Sequence, residues 1–244
     1  VLSIAGFDPS GGAGVLADIK TFEQHQVTGF AIITSNTIQT ENEFYAIEWI
    51  DLSFVLRSLE TLFQSYKISA VKIGITPSLD YLNQILSTIK LLSPTTQIVW
   101  DPVLKSSTNF KFTTIEDRLN LNRILSKIDL ITPNYNEMEI IFPGFLQNKI
   151  QLQNEIPTTI LLKGGHNPSQ AGTDLLFLEN EIIKLLPSEK KCSEKHGSGC
   201  VLSSSITANL SLNQPIIEAC KNAKIYIEKY LSSTSTLIGY HYVQ

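Results

Sequence analysis

The chain has 244 residues, 43% of them hydrophobic and 17% charged, with a formal net charge of -4. That is ample apolar material for the core of one large α/β domain or two small ones. So mild an acidic excess gives no electrostatic reason to expect nucleic acid or a bilayer as partner, and no apolar run approaches the ~18 residues of a membrane span.

Residues 1–5 read as a strand, followed by a Gly-rich turn over 6–14. Within 15–26, Leu16, Ile19 and Phe22 fall at helical spacing, and 30–35 is a second strand rich in β-branched residues. An amphipathic helix over 54–65 precedes a short buried strand at 70–73, a helix at 79–92 and a strand at 97–100 that ends at Asp101. The rhythm repeats with helix 119–127, strand 130–132, helix 136–142 and strand 159–162. Residues 175–178 and 182–185 form a hairpin at one edge, and helices at 200–210 and 216–231 close the pattern.

Strands alternating with helices predict a mostly parallel central sheet covered by helices on both faces. With no repeat, low-complexity tract or linker, 1–244 reads as a single domain. Residues 40–49 and 105–114 are irregular and are the expected flaps. The irregular spacing of Cys192, Cys200 and Cys220 makes neither a disulfide framework nor a metal cluster, which points to a reducing cytoplasm. A chain starting at Val1, without Met or a charged leader, reads as trimmed at its N-terminus, and no signal peptide is visible. Cys192 and Cys220 read as inert, and His25 and His241 as solvated.

Ligands of open parallel sheets sit beyond the C-terminal strand ends. Gly6–Gly14, Gln39, Gly74, Asp101, Asn134, Gly164-Gly165 and Gly197–Gly199 all fall there. The sharpest motif is His196-Gly197-Ser198-Gly199-Cys200, which opens a helix. Glycines allow a tight turn with inward N–H groups, and a helix start adds unpaired donors and partial positive charge, so the motif suits a transferring phosphoryl group. The same field is expected to lower the pKa of Cys200. Taken alone, a linker loop with a small buried Cys explains the motif better. There is no Walker A sequence and no G-x-G-x-x-G. A second motif, Ala5-Gly6-Phe7-Asp8-Pro9-Ser10-Gly11-Gly12-Ala13-Gly14, leads to Asp18 one turn into the next helix. A plain strand-to-helix turn explains it equally well.

Together these segments resemble the hydroxymethylpyrimidine/phosphomethylpyrimidine kinases of thiamine biosynthesis, in the ribokinase-like superfamily. Between the two motifs lie Lys72-Ile73-Gly74, Asp101-Pro102-Val103, Thr132-Pro133-Asn134 with Glu137, and Lys163-Gly164-Gly165-His166, in that family's order. The resemblance implies phosphorylation of 4-amino-5-hydroxymethyl-2-methylpyrimidine and then of its monophosphate, with ATP and Mg2+, by a cytoplasmic homodimer acting on small molecules. It makes Gly6, Asp18, Gln39 and Ile75 the substrate contacts, Gln39 because an amide offers donor and acceptor together. It makes Gly197, Ser198, Gly199 and Cys200 catalytic, with Cys200 as base, and Thr132, Asn134 and Lys163 the nucleotide contacts. Asp101 and Glu137 become the metal ligands, although Asn134 and Glu137 also have the spacing of a helix capping box. The chain departs from the family at Ile75-Thr76, where Met-Leu is common, and at Lys105–Asn109, which lacks the flap glycine. A pyridoxal or pyridoxine kinase, or a non-catalytic pyrimidine-binding module, are the competing readings.

Overall fold

The computed structural model describes residues 1–105, 112, 118–147, 156–167, 170–179 and 181–241, apart from the side chains of residues 118, 119 and 166. The expected flap at 105–114 thus lies outside the described residues except for Lys105 and Phe112, and so does the side chain of His166.

Among the described residues, nine strands, β1 (Leu2–Phe7), β2 (Phe30–Gln39), β3 (Phe44–Trp49), β4 (Ala70–Ile73), β5 (Gln97–Trp100), β6 (Leu130–Ile131), β7 (Thr159–Leu162), β8 (Asp174–Phe177) and β9 (Ile182–Leu185), form one sheet in the order β3-β2-β1-β4-β5-β6-β7-β8-β9. From β2 to β7 neighbours run parallel, while β3 pairs antiparallel with β2, and β8 and β9 add antiparallel pairs at the other edge. The mostly parallel sheet and the edge hairpin therefore stand as expected.

Helices α1 (Gly14–Gln24), α2 (Leu52–Ser65), α3 (Leu79–Leu92), α4 (Arg118–Leu125), α5 (Tyr135–Ile141), α6 (Ser198–Ser211) and α7 (Ile216–Leu231) cover the sheet. Alternating strand residues feed two separate apolar clusters. Ile98, Trp100, Ile131, Ile160 and Leu162 join the residues of α2 to α5 on one face, whereas Val99, Leu130 and Leu161 join those of α6 and α7 on the other. Period-2 alternation with both faces buried is what a parallel sheet between two helical layers demands. Helix starts follow local chemistry: Asp51 caps α2 by accepting from Ser53 N–H, and Ser78 caps α3 by accepting from Tyr81 N–H.

The chain steps from β1 outward to β2 and β3, then returns to place β4 on the other side of β1. That reversal opens a crevice at the C-terminal ends of β1 and β4, where ligands of such sheets bind. Residues 40–49 differ from expectation: only 40–43 form a turn, and β3 is a regular strand whose Trp49 pairs with Ser35. Glu43 precedes it and Glu48 interrupts its apolar residues, a mixture that reads as loop in sequence and serves as an edge strand in the fold.

Candidate active site

Two glycine-bearing loops meet at the crevice. Gly197 is the N-cap of α6 with φ of 71°, and a Cβ there would collide with Gly12 O and Ala13 Cα, so this crossing requires glycine. Gly14, with φ of 60°, begins α1 against the Gly6 carbonyl and meets the same requirement. A buried carboxylate ties the loops together. Asp8 accepts from Ser10 N–H at 2.9 Å, Ser10 Oγ at 2.8 Å and Ala13 N–H at 2.9 Å, and lies 2.8 Å from His196 Nε2. Burial opposes ionisation of Asp8, but His196 and Ser10 hold it below the usual carboxylate range. His196 therefore orients its loop.

Cys200 lies three residues beyond Gly197, partly exposed, with the backbone N–H of Gly14 near enough to favour its thiolate. The lowered pKa expected from the helix start is corrected here: burial pushes the thiol up to about 11, with Lys72 opposing and Asp18 and Asp101 adding to the rise. Desolvation and two carboxylates outweigh the helix-end field.

Asp18, expected among the substrate contacts, lies beneath the crevice. It is fully buried, paired with Lys72 Nζ at 2.9 Å, and accepts from Ser3 Oγ at 2.5 Å and Ser204 Oγ at 2.6 Å. With no exposed surface it forms the floor beneath the crevice, where burial alone would discharge Lys72 and Asp18 instead keeps that ammonium raised above the ordinary lysine range. Lys72 is the residue that motif reading left without a role. The signal was present: a lysine inside the buried strand Ala70-Val71-Lys72-Ile73 must have an acidic partner.

A second ion-pair cluster stands at the ends of β5, β6 and β7. Asp101 is fully buried and accepts from Lys163 Nζ at 2.7 Å, Thr132 Oγ1 at 3.1 Å and Ser203 Oγ at 3.3 Å. Burial opposes its ionisation, yet Lys163 and then Lys72 hold it below the carboxylate range. Lys163 also lies 3.8 Å from Glu137 and faces Gly199, whose Cβ would come 3.1 Å from its Nζ. Asn134 and Glu137 form a reciprocal capping box on α5, Glu137 N–H donating to Asn134 Oδ1 at 2.9 Å and Asn134 N–H to Glu137 Oε2 at 2.7 Å. Burial, with Asp101 adding, pushes Glu137 up to about 7 against the pull of Lys163.

On the opposite side of the crevice, Gly6, Ile75 and Ser35 touch: a Cβ on Gly6 would lie 2.5 Å from Ile75 Cδ1 and 2.8 Å from Ser35 Oγ. Gln39, at the end of β2, donates from Nε2 to Thr37 Oγ1 at 2.9 Å, and Thr37 donates to the Phe7 carbonyl at 2.8 Å. Phe112 packs edge-on against Phe44 and Trp49 of β3, with ring centroids 5.5 Å and 6.5 Å away. The fold thus gathers Gly197–Cys200 with Lys163, Asp101, Thr132, Asn134 and Glu137 on one side, and Gly6, Ile75 and Gln39 on the other.

The remaining histidines and cysteines lie elsewhere. His25 and His241 are not solvated, contrary to expectation. His25 Nε2 is 2.7 Å from Ser205 Oγ and its ring packs on Tyr226, while His241 packs on Tyr230 with burial pushing it down to about 4. Cys220 is buried in the core and Cys192 exposed.

Comparisons with known proteins agree with this geometry. Residues 8–243 match the family described as phosphomethylpyrimidine kinase. The hydroxymethylpyrimidine/phosphomethylpyrimidine kinase of Aquifex aeolicus (strain VF5) is 32% identical, the match covering 97% of this chain and 95% of that protein. Its counterpart in Rhizobium meliloti (strain 1021) is 30% identical, over 97% and 91%. Among solved structures, a phosphomethylpyrimidine kinase from Clostridium difficile 630 superposes with a TM-score of 0.77 at 31% identity, covering 93% of this chain and 96% of that one. An ADP complex of Bacillus subtilis pyridoxal kinase superposes with a TM-score of 0.80 at 25% identity, over 95% and 91%. The sheet and its two helical layers are thus those of the ribokinase-like fold. From the two glycine loops to the last helix, this chain belongs to the phosphomethylpyrimidine kinase family.

Proposed function

We propose that this chain transfers the γ-phosphoryl group of ATP to the hydroxymethyl oxygen of 4-amino-5-hydroxymethyl-2-methylpyrimidine, and then a second phosphoryl group to the monophosphate formed. One observation carries the reading: the start of α6, with Gly197 locked against Gly12, faces Lys163 and Asp101 through Gly199 while Cys200 stands beside Gly14 at the head of α1. An anion site is thereby set between a cationic side chain and an acceptor crevice. Phosphoryl transfer needs in-line positioning and charge neutralisation more than covalent chemistry, and this arrangement offers both.

On the acceptor side, the backbone at Gly6, the side chain of Ile75 and the amide of Gln39 hold the pyrimidine. Cys200 takes the proton of the attacking hydroxyl as its thiolate. A thiol near 11 makes that thiolate scarce before substrates bind, so the proton leaves late, as negative charge passes to the phosphoryl group held at α6. On the donor side Lys163, Thr132 and Asn134 face the phosphates.

Among the described residues no three His, Cys, Asp or Glu side chains stand together as a metal cage. The fit is to a cation that arrives with its phosphates and keeps much of its water, and Mg2+ behaves so. Glu137 and Asp101 are the residues that would hold it. Glu137, near 7 in the absence of a ligand, gains a counter-ion when the cation comes. Bound there, the cation supplies neutralisation of phosphate charge.

The reading extends to all 244 residues acting as one kinase domain, supported by the single continuous sheet, and to a homodimer in a reducing cytoplasm. Among the described residues no helix is long and apolar enough to cross a membrane. ADP release with Mg-ATP and, in parallel, hydroxymethylpyrimidine, its monophosphate and pyridoxal tests the assignment. Turnover of both pyrimidines above pyridoxal supports it. Turnover of pyridoxal alone moves the chain to vitamin B6 chemistry, and silence with all three leaves a binding role.

A further inference from the structure

After α7 the chain does not leave the fold. Residues 232–241 run back across both glycine loops, far in sequence from the first of them. His196 N–H donates to the Leu237 carbonyl at 2.9 Å, and Lys195 Nζ, itself buried, donates to the Thr234 carbonyl at 2.7 Å. The Ile238 side chain fills the space beside Gly12, where a Cβ would lie 2.8 Å from Ile238 Cδ1 and equally close to the His196 ring. Gly239 lies flat on the Tyr230 ring, so closely that a Cβ would come within 2.8 Å of it.

The segment is also tied to itself. Thr234 Oγ1 and Thr236 Oγ1 both donate to the Ile238 carbonyl at 2.9 Å, and Tyr240 N–H donates to Ser233 Oγ at 2.9 Å. Its far end is pinned by His241. That ring packs on Tyr230, with Nδ1 3.4 Å from both Thr21 Oγ1 and Tyr226 OH. Burial, with Lys20 of α1 adding, keeps the imidazole neutral down to about pH 4, so the pin carries no charge into its pocket.

The loop that these contacts grip is held on its other side by Asp8 and by the close approach of Gly197 to Gly12. Gly197 is left-handed, and Ser198 N–H makes only a long 3.4 Å bond to the Lys195 carbonyl. His196 is the single residue of the loop that reaches a buried carboxylate, Asp8, and the strap holds His196 by its backbone and Lys195 by its side chain. We propose that residues 232–241 are a strap that sets the His196–Gly199 loop in its phosphate-binding shape, with Leu237, Ile238, Gly239 and His241 as positioning residues. The proposal rests on the kinase reading for its catalytic consequence. Its structural half stands without that reading.

The test uses the full chain carrying Ile238→Ala or Gly239→Ala, neither of which is among the residues assigned to the substrates. Amide hydrogen exchange is followed without ligands in a peptide spanning residues 194–202 and in one spanning β4. The variants should exchange about tenfold or more faster in the first peptide and unchanged in the second. With Mg-ATP and the pyrimidine, kcat should fall about tenfold or more while KM for the pyrimidine stays within about twofold, since a misplacement near 1 Å has consequences of that size. Unchanged exchange over 194–202 overturns the strap. Faster exchange with unchanged kcat overturns its positioning role and leaves only a brace of the fold. Should Ile238→Ala fail to fold, Ile238→Val, which removes one methyl group, must show both effects reduced. A wild-type enzyme that releases no ADP with any pyrimidine sinks the kinase reading, while the exchange result still decides the strap.

Discussion

Glu137→Gln separates the electrostatic cost of a buried carboxyl from its local structural use. Burial moves Glu137 from an ordinary value of 4.5 to about 7. At 1.36 kcal/mol per pH unit, the ionised form is disfavoured in the folded chain by about 3 kcal/mol relative to the unfolded one. The sign follows from proton binding. Below pH 4.5 the group is protonated in both states and contributes no penalty. Between 4.5 and 7 the folded chain holds more protons than the unfolded chain, so stability falls as pH rises, and the loss is complete above 7. Glutamine does not titrate, and its amide oxygen can still accept from Asn134 N–H in the capping box. The variant should therefore gain about 2–3 kcal/mol on wild type between pH 4 and pH 8.5 without metal or nucleotide. Urea denaturation at the two pH values measures this, read from midpoints at equal slopes. Adding Mg-ATP at pH 8.5 should recover part of the difference for wild type only. A gap between the two proteins that does not change with pH would refute the reasoning.

Three further outcomes follow from the site. Lys72→Met leaves Asp18 buried without its counter-ion and should cost about 3–5 kcal/mol in urea denaturation, while the double variant with Asp18→Asn should recover part of that loss. Cys200→Ala should lower kcat about 10²–10⁴-fold, and wild-type kcat should climb from pH 6 to pH 9 because the thiol lies near 11; unchanged turnover would remove Cys200 as the base. Gln39→Ala should raise KM for the pyrimidine about 10–100-fold, the equivalent of about 1–3 kcal/mol, with KM for ATP unmoved.

Elements whose period and flanking signals agreed were legible in the sequence to the residue: β4, β5, β7, α3 and α7 all begin and end where the pattern places them. Those with mixed signals were not. β3 breaks its apolar run with Glu48 and follows three polar residues, and pairing with β2 makes a strand of it. At the site, local chemistry was visible and burial was not. The glycines, the capping box and the run of motifs could be read from neighbours in sequence. Asp18 could not, because its partners Lys72 and Ser204 lie 54 and 186 residues away. The Cys200 thiol differs from expectation for the same reason: the field of its own helix is local, whereas the desolvation that outweighs it belongs to the assembled fold. The partners of His25 and His241 are distant in sequence, His25 meeting α6 and α7 and His241 meeting α1 and α7.

Three successive residues of α6 point to three different partners. Ser203 donates to Asp101, Ser204 donates to Asp18, and Ser205 meets His25. Successive positions on a helix are rotated by about 100°, so these bonds fan around most of its circumference. Turning α6 about its axis, or sliding it by one residue, would break all three at once and expose buried carboxylates. The helix proposed to present its first amides to the phosphate is therefore locked in azimuth as well as in place. The floor beneath the crevice is thereby fixed by side chains of a single helix.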